Sequence, residues 1–209
     1  MPTPEQILAG LAIAANNYMI LSILWHVISL AFLIYILIGK RPSSRLVMAG
    51  LTIPLISVGV VALLVSNPFN AIVFLAFSVI LWIIIVRQSN EPITVRWDVL
   101  SVAGFILVLF GLFYPHFLED ATFVNYLYAA PVGLIPCPTL ALVIGFTLMF
   151  HGFGSKKWMW YLACIGLFYG IFGVFRLKVY LDTVLLAGAL VLFIYNLILI
   201  KPSESNQLA

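Results

Sequence analysis

The sequence predicts an all-α membrane protein, a bundle of about seven transmembrane helices behind a short interfacial helix, with the N-terminus outside and the C-terminus inside. Three observations carry this. The 209 residues are 64% hydrophobic and 8% charged, with a mean hydropathy of +1.19, whereas a soluble domain carries roughly a quarter charged residues. Apolar runs long enough to cross lipid recur between charged or turn-rich breaks. Lys and Arg fall on alternate connections, as the positive-inside rule requires.

Thr3-Pro4-Glu5-Gln6 reads as an N-cap, a first-turn proline and an acidic first turn, without the basic region and cleavage site of a signal peptide. Residues 1–17 are therefore expected to form a short helix, too short to span and mildly apolar at Ile7, Leu8, Leu11 and Ile13, lying in the interface. Residues 18–200 form the bundle as one domain. Its runs are Tyr18 to Gly39, Leu46 to Val65, Ala71 to Val86, Val99 to Tyr114, a long run ending at Phe150, Trp158 to Phe175, and Val184 to Ile200. Residues 201–209 form a short polar tail.

Orientation follows from the cations. Lys40, Arg41, Arg45, Arg87, Arg96, Lys156, Lys157 and Lys201 all follow odd-numbered spans, whereas the opposite side carries only Arg176 and Lys178. The aromatic belts follow the same frame: Trp97, Trp158 and Trp160 at the inner interface, and Tyr114, Tyr126, Tyr128 and Tyr180 at the outer one. The formal charge of +3 is scattered over short connections, which excludes a nucleic-acid-binding face. Two cysteines make no disulfide framework. No lysine lies inside a span to hold retinal, and His26 alone lies well inside a helix, so no haem is expected.

The most informative stretch is Ala129 to Thr139, with Pro131, Pro136 and Pro138 within eight residues. Prolines remove backbone donors, and irregular backbone at membrane depth is tolerated only inside protein or beside water. A broken helix resuming near Pro138 would point free N–H groups at the break, with Pro136, Cys137 and the Thr139 hydroxyl around a ligand. Residues 121–135 read equally as a loop, a re-entrant piece or the upper half of a long fifth span.

Cys137 lies thirteen residues before Phe150 and His26 thirteen before Gly39, which sets both at a similar depth. Ser22, His26 and Ser29 share one face of span one, beside Trp25. A thiol and an imidazole suit a thiophilic metal ion such as Cu(I) or Zn(II), although such sites have three or four ligands. The structural reading stands beside this: a kink with a small buried cysteine, and a histidine that only packs. Arg176 with Asp182 reads as an ion pair at the outer mouth, and His116, Glu119 and Asp120 as a solvated loop or a cation vestibule. Cys164 reads as packing, His151 as an inner loop residue, and Gly166-x-x-x-Gly170 and Ala187-Gly188-Ala189 as close-packing signatures.

At Pro136-Cys137-Pro138-Thr139 the chain resembles an uncharacterised bacterial family of polytopic membrane proteins, a domain of unknown function bearing a Gly-x-Pro-Cys-Pro-Thr signature. Asn67-Pro68, Tyr114-Pro115 and Asp182 resemble its other signposts, while Gly133 stands one residue farther from the tetrapeptide than in the typical form. The resemblance implies a shared fold in the bacterial inner membrane and an important Cys-Pro turn, with no assigned activity.

The functional expectation is a small carrier or receptor for an ion or small solute at the Cys-Pro break. The alternative is a non-catalytic accessory or assembly subunit of a membrane complex, its partners being the bilayer and a membrane protein or a second copy. An intramembrane enzyme would need Cys137 and His26 within hydrogen-bond reach.

Overall fold

In the computed structural model the described residues are 3–119 and 122–198. Asp120, Lys201 and the 201–209 tail lie outside them. The described chain is helical, without strands: α1 (Pro4–Asn17), α2 (Met19–Leu37), α3 (Ser44–Leu64), α4 (Pro68–Val86), α5 (Val99–Leu112), α6 (Phe123–Ala129), α7 (Pro136–Met149), α8 (Lys156–Ile171) and α9 (Asp182–Ile198). A π turn, Phe172–Arg176, continues α8. Thr3 closes a capping box with Gln6 at the start of α1, and Asn67 and Asp98 cap α4 and α5 through the backbone N–H groups of Asn70 and Ser101.

Among the described residues four helices are long and apolar enough to cross a membrane: α2, α3, α4 and α8 with its π turn. Helices α5, α7 and α9 are apolar but shorter. At 1.5 Å per residue the 14 residues of α7 reach only about 21 Å. For α7 the setting explains the shortness. Every residue of α7 is buried, and it packs against α3, α5, α8 and α9, so protein rather than lipid sets its length.

The sequence's fifth run is therefore resolved into a short helix α6, a turn, and α7. The turn from Ala130 to Ile135 is buried throughout. Its irregular backbone is satisfied internally: Ile135 N–H donates to the Pro131 carbonyl (3.1 Å), and Ser22 of α2 donates to the Ala130 carbonyl (2.5 Å). Helix α7 resumes at Pro136, two residues before the expected restart. Pro136 and Pro138 both fall in the first turn, where backbone N–H groups have no intrahelical acceptor, so neither proline costs a bond.

Connections gather at two ends. At one, Ile93 N–H donates to the Pro42 carbonyl (2.9 Å), Gln88 Nε2 to the Phe153 carbonyl (2.8 Å) and Ser101 Oγ to the Met149 carbonyl (3.2 Å). This joins the α2–α3, α4–α5 and α7–α8 connections. At the other end Asn16 Nδ2 donates to the Phe117 carbonyl (3.0 Å) and Asn16 Oδ1 accepts from the Glu119 N–H (3.1 Å), seating α1 on the α5–α6 connection.

Two residues expected in the aromatic belts are buried inside the protein. Trp158 is fully buried and donates to Thr147 Oγ1 (3.0 Å); Tyr114 is fully buried too. Each ring's polar atom finds a protein partner, which removes the reason to sit at a water boundary. Trp97 and Trp160 are exposed. Cys164, expected in the packing, is exposed on α8. The small-residue pattern of α8 and α9 does pack: Gly166 meets Ala189 and Gly170 meets Leu186.

The tightest helix contact is α5 on α7. A Cβ built on Gly104 would lie 2.5 Å from the Gly145 carbonyl oxygen, and one on Gly111 2.7 Å from that of Pro138. Backbone meets backbone here, so no side-chain rotation can relieve a larger residue. Gly145→Val is expected to lower stability by about 1–3 kcal/mol or more, read as an earlier thermal transition in detergent, while Gly50→Ala, at a glycine with open space around it, should shift the transition little.

Candidate functional site

The starts of α7 and α9 and the end of α5 converge on one carboxylate. Asp182, the first residue of α9, is 1% exposed. Its Oδ1 accepts from the Tyr114 hydroxyl (2.8 Å) and its Oδ2 from the Cys137 thiol (3.1 Å). The N-terminal end of α9 favours a negative group there. Gly173 in the π turn makes the space, since a Cβ at that position would overlap the carboxylate. The π turn sets Gly173 in register through Leu177 N–H to the Phe172 carbonyl (3.1 Å) and Val179 N–H to the Gly173 carbonyl (3.0 Å).

Beside this cluster lies a cavity of about 340 Å³. Helix α1 contributes Ile7 and Leu11, α4 contributes Asn67, Phe69 and Asn70, α7 contributes Pro136 and Cys137, and the α8 end contributes Tyr169, Phe172, Gly173, Arg176 and Leu177. Tyr169 donates to Asn70 Oδ1 (2.8 Å), which braces α8 against α4 across the wall. The wall is mostly apolar, with Cys137 at its back and Arg176 as its one cation.

The sequence-derived candidates separate into those gathered here and those that are not. Cys137 and Pro136 line the cavity, and Pro138 stands one residue deeper in α7. Thr139 is absorbed by the fold: its hydroxyl donates to the Ile135 carbonyl (2.7 Å) and accepts the Gly133 N–H (2.8 Å), closing the turn rather than facing a ligand. Gly133 takes a left-handed φ of 74°, and its bare Cα lies against Trp25, where a Cβ would overlap the indole.

Arg176 and Asp182 form no ion pair. Among the described residues the single ion pair is His151–Asp98, Arg176 is exposed, and both oxygens of Asp182 are taken by neutral donors. The stripe Ser22, His26 and Ser29 is buried as its periodicity requires, yet His26 does not meet Cys137. Its ring leans on Phe113 at 5.6 Å between centroids, and neither ring nitrogen has a hydrogen-bond partner among the described residues. No group of three or more His, Cys, Asp or Glu there could hold a metal ion. The Cys137–His26 metal site therefore lacks both its pairing and its further ligands. The sulfur's partner is instead a carboxylate, which repels a thiolate rather than stabilising one. Of the vestibule candidates, His116 packs its ring on Phe117 at 4.1 Å, where burial pushes its pKa below the ordinary histidine value, and Glu119 is exposed. Neither lines the cavity.

Tyr114, Asn70, Tyr169 and Gly173 are the site residues that sequence reasoning did not assign. Two signals point nearby: the sequence sets Tyr114-Pro115 and Asn67-Pro68 beside Pro136-Cys137 and Asp182 as signposts, and all four meet around one cluster and its cavity. Against known protein families, characterised proteins and solved structures, the chain matches none.

At the opposite end, His151 Nε2 and Asp98 Oδ2 are 2.7 Å apart. His151-Gly-Phe-Gly154 is a left-handed turn, with φ of 52°, 73°, 57° and 68°. Two non-glycine residues there cost roughly 1–3 kcal/mol each, offset by Phe153 packing on Trp158.

Two outcomes follow. Tyr114→Phe leaves Oδ1 of a buried carboxylate without its donor and should destabilise the protein by about 1–3 kcal/mol, measured as a lowered melting temperature in detergent. Asp98 is pushed down to about 2, first by the Ser101 N–H and then by His151. A depressed carboxylate stabilises the fold above its ordinary pKa and loses that effect as pH falls through the folded value. Amide protection in the first turn of α5, taken relative to the unstructured chain at the same pH, should therefore fall between about pH 4 and pH 2, and Asp98→Asn should flatten that dependence.

Proposed function

We propose that the chain is a small carrier or receptor of the bacterial inner membrane, crossing it seven times with the N-terminus outside, and that it binds a small solute in the cavity beside Cys137. The observation that carries this is the cavity itself. Its volume of about 340 Å³ falls in the range of small-molecule sites, which combine apolar walls with a few placed polar groups. Membership of the Pro-Cys-Pro-Thr family belongs to the same proposal and rests on the tetrapeptide and its signposts.

Three features support a membrane binding protein of this kind. The connections gather alternately at two ends, which suits seven antiparallel passes, and the cations favour the end that holds His151 as the inner one. The site is built where a helix is interrupted, with backbone order maintained by protein contacts, as in membrane proteins that bind ligands at broken helices. The ligand chemistry follows from the wall: an apolar body against Leu11, Phe69 and Phe172, and an anionic or strongly polar end toward Arg176. An organic solute fits this wall better than a thiophilic metal ion. Asp182 and Tyr114 stand behind the thiol and hold the back of the site in place.

The test uses thiol reagents on the Cys164→Ala background, so that Cys137 is the sole cysteine. A small anionic methanethiosulfonate is expected to modify Cys137 from outside intact cells about tenfold faster than its cationic analogue, and Arg176→Gln should abolish the difference. Equal rates would remove the anionic-solute reading. Modification only from the inner face would reverse the orientation, and an inert Cys137 would mark a closed, dry site.

A further inference from the structure

We propose that a second site, in the cleft between the end of α4 and the start of α8, binds the phosphate headgroup of an anionic glycerophospholipid. The cleft measures about 410 Å³ and lies at the end of the bundle opposite Cys137. Its polar rim is Arg87, which caps the C-terminus of α4, and Lys157 in the first turn of α8, with Ser155 as that helix's N-cap. Its floor and wall are Ile80, Ile83 and Ile84.

The rim is held in place by the fold. Gln88 Nε2 donates to the Phe153 carbonyl (2.8 Å), pinning the end of α4 to the left-handed turn that precedes α8. Arg87 and Lys157 are thereby set on facing sides of one cleft. Neither is in an ion pair among the described residues, where Asp98 is committed to His151. Two cations, joined by the positive end of a 16-residue helix, leave net positive charge that a phosphate would neutralise. Phosphate alone does not account for the rest of the cleft. Ile83 is 52% exposed on a helix apolar enough to span lipid, so an acyl chain descending from the headgroup would cover it. Basic pockets between membrane helices bind anionic headgroups by this combination.

A second feature extends the same ridge. A neighbouring cleft of about 330 Å³ shares Lys157 and Tyr161 with the first and is bordered by Lys156 and Trp160. Asn196 lies on its wall, 1% exposed, with a side-chain oxygen that has no hydrogen-bond partner among the described residues. An unpaired buried amide is costly unless something supplies a donor, and the glycerol hydroxyl of a phosphatidylglycerol headgroup is a donor of the right kind. The proposal is independent of the solute site, which lies at the other end of the molecule.

The experiment is native mass spectrometry of the full chain released from bilayers of equimolar phosphatidylcholine and phosphatidylglycerol. At about fivefold per cation, retention should favour phosphatidylglycerol about 25-fold. Arg87→Gln with Lys157→Gln should abolish the preference, Lys157→Gln alone should reduce it about fivefold, and Lys40→Gln with Arg41→Gln, outside the cleft, should leave it intact. Equal retention of the two lipids by the parent chain overturns the proposal without any variant, as does a preference that survives the double substitution. Displacement of the lipid by glycerol phosphate at comparable concentration would assign the cleft to a soluble anion and overturn the lipid assignment.

Discussion

One buried carboxylate organises the end of this protein where α5, α7 and α9 meet. Asp182 can be neither exposed to water nor paired with a cation where it sits, so its two oxygens depend on the Tyr114 hydroxyl and the Cys137 thiol. A buried charge without such donors would be expensive. The requirement links residues 68 and 45 positions apart in sequence. It also ties the end of α5, the first turn of α7 and the start of α9 into one unit. Gly173 belongs to that unit because only a residue without Cβ leaves the carboxylate room.

The axis of the molecule is α7, buried on every face. A helix in that position needs no lipid-matched length and no polar face, and its sequence has neither. It needs close neighbours, which Gly104, Gly111 and Gly145 provide through backbone contact with α5. The same enclosure makes the proline-rich entry possible. Irregular backbone from Ala130 to Ile135 can sit inside the bundle because Ser22, Thr139 and the turn itself satisfy its polar groups.

The two ends of the bundle are built on opposite electrostatic plans. At the Asp182 end a carboxylate is sequestered by neutral donors, and the adjoining cavity presents an apolar wall with a single arginine. At the His151 end the one ion pair of the described residues reaches solvent, beside Arg87 and Lys157, which have no ion-pair partner among the described residues. The interior carboxyl group is thus satisfied by hydrogen bonds from neutral donors, while surface charge is left available to the surroundings. That division matches a protein whose middle faces hydrocarbon and whose ends face water and headgroups.

Composition and periodicity alone determined that the chain is helical and suited to a membrane, because the apolar runs and their charged breaks are local properties. They also determined that Ser22, His26 and Ser29 share a buried face, that a glycine pattern joins α8 to α9, and that the Pro136-Cys137-Pro138-Thr139 segment is interior. Residue pairing was another matter. By sequence alone Asp182 is the carboxylate nearest to Arg176, and Cys137 shares its depth with His26. Tyr114 ends an apolar run, which by sequence alone suits an interfacial belt. Only the tertiary structure decided that Asp182 takes Tyr114 and Cys137, that His26 leans on Phe113, and that Trp158 turns inward to Thr147. Helix rotation and the lateral order of helices choose such partners. Both arise from packing between segments distant in the chain, and hydropathy is almost blind to them when every helix is apolar on most of its faces.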